Sequence, residues 1–220
     1  LPPPGNTMTR PIRLLVACAA LLALPAFAQN LVQNGSFESP PLGSGNWGIY
    51  PAIPNWTLVS GGGAEIQNNV AGAPYAGEQH VELDGNDNSA IEQAVPVVPG
   101  ATYLFTWAYS PRPDVASASN GVEVLVDGNV IGISAADGTA NTETVWTVYQ
   151  LLVPANGPTI TLRFRAGGTS DGAGGYIDGV ALSPVAAPPA KPVDATSDAM
   201  LAMMVLALAA AGALALTRRG

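Results

Sequence analysis

The chain is poor in the residues on which much catalytic and metal-binding chemistry depends. It has one cysteine, Cys18, and one histidine, His80, in 220 residues. Cys18 lies in an N-terminal apolar run, so the region that follows has no disulfide and must be held by its core or by a metal. One histidine is too few for a zinc site of the usual kind. A Ser-His-Asp hydrolase would need His80, the one histidine, as its base. Positive charge is scarce as well. Residues 29–184 carry 14 Asp and Glu against Arg112, Arg163 and Arg165, a net charge of −11. A field of that sign repels nucleic acid and anionic lipid surfaces. Long stretches of helical period are also missing.

What is present begins with two apolar runs near the ends. Met8–Ala28 has the parts of a secretory signal: Arg10 and Arg13, the run Leu14–Leu24, and Ala26-Phe27-Ala28 as a small-x-small cleavage site that leaves Gln29 first. Leu15–Cys18 has the residue types of a lipoprotein box but comes too early in the apolar run. Residues 1–7 then read as an extension of the gene model. Ala199–Leu216 is free of charge and is followed by Arg218-Arg219. That length suits a short membrane helix within 199–220, with the arginines cytoplasmic. Residues 185–198, rich in proline and alanine, read as a linker.

Residues 29–184 are one domain in size. Glycine and proline punctuate short alternating runs, the pattern of an all-β sandwich. Asp127-Gly128 between two apolar runs predicts a tight hairpin, because both turn positions need positive φ. In Thr159–Arg165, Ile160, Leu162 and Phe164 face in while Arg163 and Arg165 face out. Further strands are expected at Trp56–Val59, Ala64–Ile66, His80–Leu83, Ala90–Val95, Val145–Val153 and Tyr176–Leu182.

Gly100–Ser110 is the most aromatic stretch. Tyr103, Phe105, Trp107 and Tyr109 alternate, so a strand would aim all four at one face. The row can be a core layer or a stacking platform. The need of a disulfide-free domain for apolar burial favours core for the first three, and leaves Tyr109, beside the Arg112 loop, for a binding surface. Trp47, Tyr50 and Tyr75 lie in turn-rich segments where aromatics can rim a sandwich and stack on sugars. Trp56 reads as core. If Val81 and Leu83 face inward, His80, Glu82 and Asp84 share the other face. That face is either plain solvated surface or a set of donors and acceptors for sugar hydroxyls. Glu82 and Asp84 also form a carboxylate pair of the kind glycosidases use. Arg112 can pair with an acidic sugar or with Asp114. Asp84–Asn88 starts like an EF-hand loop, but its later positions do not fit.

Several motifs occur in a telling order: Leu31–Glu38, Ile53-Pro54-Asn55-Trp56, His80–Gly85, Ile91-Glu92-Gln93, Pro99–Tyr103 and Tyr176–Leu182. Together they resemble the galactose-binding-like jelly rolls. The chain is similar in particular to the domain-of-unknown-function family 642, and more distantly to carbohydrate-binding modules of families 4, 9 and 22. The resemblance implies an all-β jelly-roll sandwich that binds a polysaccharide or other glycan without catalysis. It also implies a structural Ca2+ ion at Glu38 and Asp178, where the first and last strands meet. Candidate ligand contacts are Trp47, Tyr50, His80, Glu82, Tyr109 and Arg112. The C-terminal segment resembles bacterial sorting signals of the PEP-CTERM and IPTL-CTERM-like kind, read by exosortase-type enzymes, with Ser197 and Asp198 in the motif position. The expectation is a bacterial protein exported across the inner membrane and held at the cell surface, anchored before any C-terminal processing. The alternatives are an adhesive matrix protein with protein partners, and a glycosidase or esterase.

Overall fold

The computed structural model describes residues 29–185. The segments read as gene-model extension, signal peptide with Ala28 of its cleavage site, sorting motif and membrane helix lie outside the described residues. Eleven strands form the described part: β1 (Trp47–Tyr50), β2 (Thr57–Ser60), β3 (Ala64–Gln67), β4 (His80–Glu82), β5 (Ala90–Pro96), β6 (Thr102–Ser110), β7 (Gly121–Val126), β8 (Asn129–Ser134), β9 (Thr147–Pro154), β10 (Thr159–Gly167) and β11 (Tyr176–Pro184). They make two antiparallel sheets, a six-stranded one in the order β1-β3-β4-β11-β6-β9 and a five-stranded one in the order β2-β5-β10-β7-β8. This is the all-β sandwich that the alternation predicts, of the jelly-roll kind that the resemblance implies. The turn Asp127-Gly128 joins β7 to β8 with both φ angles positive, at 49° and 80°.

The two inner faces meet in one aromatic-rich core. Phe105 of β6 lies 6.2 Å from Phe164 of β10, and Trp56 bridges Phe164 to Phe37 at 6.0 and 5.4 Å. Tyr103, Phe105 and Trp107 are buried, as the core reading expects. Tyr109 is buried too, which corrects its assignment to a binding surface. Its hydroxyl donates to the Asn120 carbonyl at 2.8 Å and accepts from the Ala136 N–H at 3.0 Å, so loop backbone closes over the strand end.

The chain ends of the domain are stitched together. The Leu31 N–H donates to the Leu182 carbonyl, and the Val180 N–H to the Gly35 carbonyl, both at 2.9 Å. Gly35 sits so close to Val180 that a Cβ there would overlap its carbonyl. On the outer face of the five-stranded sheet, Arg163 pairs with Glu92 at 2.5 Å and Arg165 pairs with Glu123. These partly exposed pairs contribute little each. Stability therefore rests on the core. Phe37→Ala, which empties a fully buried site stacked on Trp56, is expected to cost about 3–5 kcal/mol in equilibrium urea unfolding.

Candidate functional site

The centre of the six-stranded sheet, at β3, β4 and the start of β11, is buried on both faces. Register shows how. Ile66, Val81, Ile177 and Tyr109 form one row across β3, β4, β11 and β6, facing the core. The neighbouring row is Glu65, Glu82, Tyr176 and Ser110, and it faces away. Gln67 and His80 pair one step further along on that same outer face. Yet Glu65, Gln67, His80, Glu82 and Tyr176 are all buried. The expectation of a freely accessible outer face at His80, Glu82 and Asp84 is thus corrected. The loops that follow β3, β6, β8 and β10 fold over the sheet, and alternation along a strand cannot reveal such a cover.

The buried layer is closely bonded. Glu82 Oε2 accepts from Arg112 Nη1 at 2.6 Å and from Gln67 Nε2 at 3.1 Å, while Oε1 accepts from the Gly174 N–H at 2.5 Å. Gln67 Nε2 also donates to Glu65 Oε1 at 2.7 Å. Arg112 therefore pairs with Glu82 and not with Asp114, because Asn120 Oδ1 holds the Arg112 N–H and turns the loop back over β4. Asp84 is likewise buried, accepting from the Asp171 N–H and the Ser170 hydroxyl. His80 lies 4.5 Å from the Tyr176 ring and 5.6 Å from that of Trp146, and neither ring nitrogen has a hydrogen-bond partner. Burial, helped by the Arg112 charge, lowers His80 to about 4, so the ring is neutral near pH 7.

A polar pocket of about 560 Å³ opens above this layer, lined by Val70–Gly72, Arg112–Val115, Thr142 and Ala173. Arg112 is the link, since its Nη1 bonds Glu82 below and the residue also lines the pocket. Exposed aromatics surround the same face. Trp47, 56% exposed, belongs to β1, not to a turn, and pairs in register with Gln67. Tyr75, 48% exposed, lies 6.2 Å from Trp146, whose Nε1 donates to the Ala73 carbonyl at 2.9 Å. Tyr50 is a correction. It pairs with Ala64 on the core-facing side of β3 and packs against the core. Trp47, His80, Glu82 and Arg112 are thus brought to one face, and Tyr50 and Tyr109 are not. Sequence reasoning missed Glu65, Gln67, Trp146 and Tyr176. For Glu65 and Gln67 the only signal was a polar residue at every second position of a strand that also carries core residues, and Trp146, in the loop before β9, gave none.

Glu38 and Asp178 clasp a loop. Asp178 Oδ2 accepts from the Tyr75 and Ala76 N–H groups at 2.8 and 2.9 Å, and Oδ1 from Gly179 at 2.6 Å. Glu38 Oε1 accepts from the Glu78 and Gln79 N–H groups at 2.9 and 3.0 Å. A register shift in β11 between Asp178 and Ala181 aims the carboxyl this way. Calcium needs six to eight oxygens. Here five N–H donors point at two carboxyls, and no cluster of three acidic, histidine or cysteine side chains is found among the described residues. As arranged, these residues do not fit the ion that the resemblance implies.

Burial pushes Glu82 up to about 8 against the opposing pull of Arg112, and Asp178 up to about 7 against its three N–H donors. Both groups hold a proton more firmly folded than unfolded, so the stability they contribute is present at low pH and is lost as pH rises through 7 and 8. His80 acts in the opposite sense, its contribution being lost as pH falls from 6.5 through about 4. The thermal midpoint is expected to fall from pH 6.5 to about 9, and Glu82→Gln to flatten part of that fall. A midpoint constant over this range in differential scanning calorimetry would contradict the assignment.

Comparison with known proteins adds the family. No curated protein sequence matches the chain. Among solved structures, a cyclase from Fischerella sp. TAU overlays with a TM-score of 0.51 at 16% identity, covering 73% of this chain and 100% of that one. The K1 cleaved adhesin domain of Lys-gingipain from Porphyromonas gingivalis W83 overlays with a TM-score of 0.50 at 16% identity, covering 69% and 96%. A family 35 carbohydrate binding module from Clostridium thermocellum fits more loosely, with a TM-score of 0.37 at 19% identity over 62% and 90%. At such identities the likeness is one of fold. The family model described as protein of unknown function, DUF642, matches residues 30–183. That span contains both sheets and the covered face between the loops, and the chain belongs to the DUF642 family.

Proposed function

We propose that the domain binds carbohydrate, without catalysis, in the pocket over the outer face of the six-stranded sheet. The observation that carries this reading is Arg112. It is half-buried, anchored from below by one N–H on a buried carboxylate, and borders a pocket whose other ionisable lining group is Asp114. A guanidinium has five N–H donors in a fixed plane, so the remaining donors are held ready for hydroxyl groups. Asp114 supplies acceptors beside it. Trp47, Tyr75 and Trp146 offer flat faces on the same side, and the apolar C–H face of a sugar ring stacks on such surfaces.

The domain carries a strong negative excess, which favours a neutral, hydroxyl-rich glycan over a polyanion. Export by the N-terminal signal and retention at the cell surface through the C-terminal segment, with processing by a sorting enzyme, complete the proposal. They would place the domain beside matrix or envelope polysaccharide.

Affinity gel electrophoresis with neutral polysaccharides tests the site. Arg112→Gln is expected to weaken retention about tenfold or more, the equivalent of a lost charge-assisted hydrogen bond. Trp47→Ala is expected to weaken it about three- to tenfold, within the range of one aromatic contact. Retention is expected to change little with added salt, since no net charge is exchanged. Folded protein that no glycan retards would overturn the reading. Turnover of a retained glycan that stops in Glu82→Gln would overturn its non-catalytic part.

A further inference from the structure

The opposite side of the sandwich is built differently. The sheets end there in two free edges, β9 of the six-stranded sheet and β8 of the five-stranded one. A slot of about 220 Å³ lies between them, lined by Val126, Ile131 and Leu151–Pro154 among others. None of the acids and arginines of residues 29–184 falls on either strand. Val130 and Ile133 of β8 and Val148, Tyr149, Leu151 and Leu152 of β9 are exposed.

The two edges differ in how they are finished. β8 pairs with β7 through a register shift, and a bulge of that kind twists an edge away from new partners. β9 pairs with β6 over eight consecutive residues with no shift. Its free side is therefore a regular, uncharged, apolar edge about 26 Å long. It has none of the usual guards: no lysine, no bulge, and proline only at its last residue. Such an edge is a template for another strand.

Charge says which strand. A basic partner would be drawn to the acidic surfaces, not to a neutral strip. Two copies of this domain repel each other everywhere except where charge is missing. An uncharged apolar strip is complementary to itself, as a two-fold contact requires. We infer that two copies of this chain associate through β9, by antiparallel pairing of the free edges across a two-fold axis into one continuous twelve-stranded sheet. The pairing leaves the Arg112 pocket open on each copy, because the pocket lining includes no residue of β9. A dimer would present two sugar sites at once and raise avidity without a new contact.

Sedimentation velocity of the purified chain over a concentration series tests this, with the double variant Val148→Lys, Leu152→Lys alongside. The wild type is expected to dimerise, more strongly as salt screens the acidic surfaces. The variant is expected to be monomeric with an unchanged thermal midpoint and unchanged glycan retention per site. Leu152→Lys alone, at a side chain 59% exposed, gives the same readout if the double variant folds poorly. A wild type that stays monomeric overturns the inference. So does association that persists in the variants, which would move the contact to another face or to the segments beyond 185. Association only with a second kind of protein would give the edge to a different occupant and overturn it as well.

Discussion

A carboxylate taken out of water must find donors, and that constraint shapes the covered face of this domain. Glu82 and Asp178, both buried, are not neutralised by a layer of lysines, of which residues 29–184 have none. They collect backbone N–H groups from loops instead, together with Arg112 and Gln67. Each such bond brings a loop down onto the sheet. The segment 75–79 is held by Asp178 and Glu38, the segment 111–120 by Glu82 through Arg112, and the segment around Gly174 by Glu82 directly. Remove the carboxyls and the loops would have no reason to lie where they do. The pocket exists because the loops stop short of closing over Arg112.

The division of labour between the two faces follows from this. The inner face is an aromatic and aliphatic core of the ordinary kind, and it supplies most of the apolar burial that a domain without disulfides needs. The outer face over β3, β4 and the start of β11 is polar yet nearly dry. Hydrogen bonds there add little net stability beyond what their groups would gain from water, but leaving one unmade is costly. That asymmetry makes the layer a device for fixing geometry. It holds Arg112 in one place, which a binding site requires. The raised Glu82 and Asp178 carboxyls record the cost of that burial.

Much of the sandwich was legible from local pattern. The alternation in Thr159–Arg165 placed Ile160, Leu162 and Phe164 inside, and Asp127-Gly128 marked the β7–β8 turn. The aromatic row of β6 told core from surface for three of its four members. Tyr109 escaped because its burial is done by Asn120 and Ala136, residues distant along the chain. β1 escaped because Trp47–Tyr50 is short and flanked by glycine, and only its pairing with β3 makes it a strand. His80, Glu82 and Arg112 were picked out singly for what their side chains can do, yet nothing local foretold that Glu82 and Arg112 would meet.

Neighbour-to-neighbour chemistry along the chain sets the period-two apolar pattern, the turn chemistry, the acidic surface and the scarcity of cysteine and histidine. Each of these is a property of neighbours along the chain, set by side-chain volume, charge and allowed φ and ψ. Only the tertiary structure decided which strand faces are covered twice, which carboxylate meets Arg112, that Glu38 and Asp178 face N–H donors, and which edge strand is left regular and bare. Those outcomes depend on bonds between residues 30 to 150 positions apart, whose closure no local preference encodes.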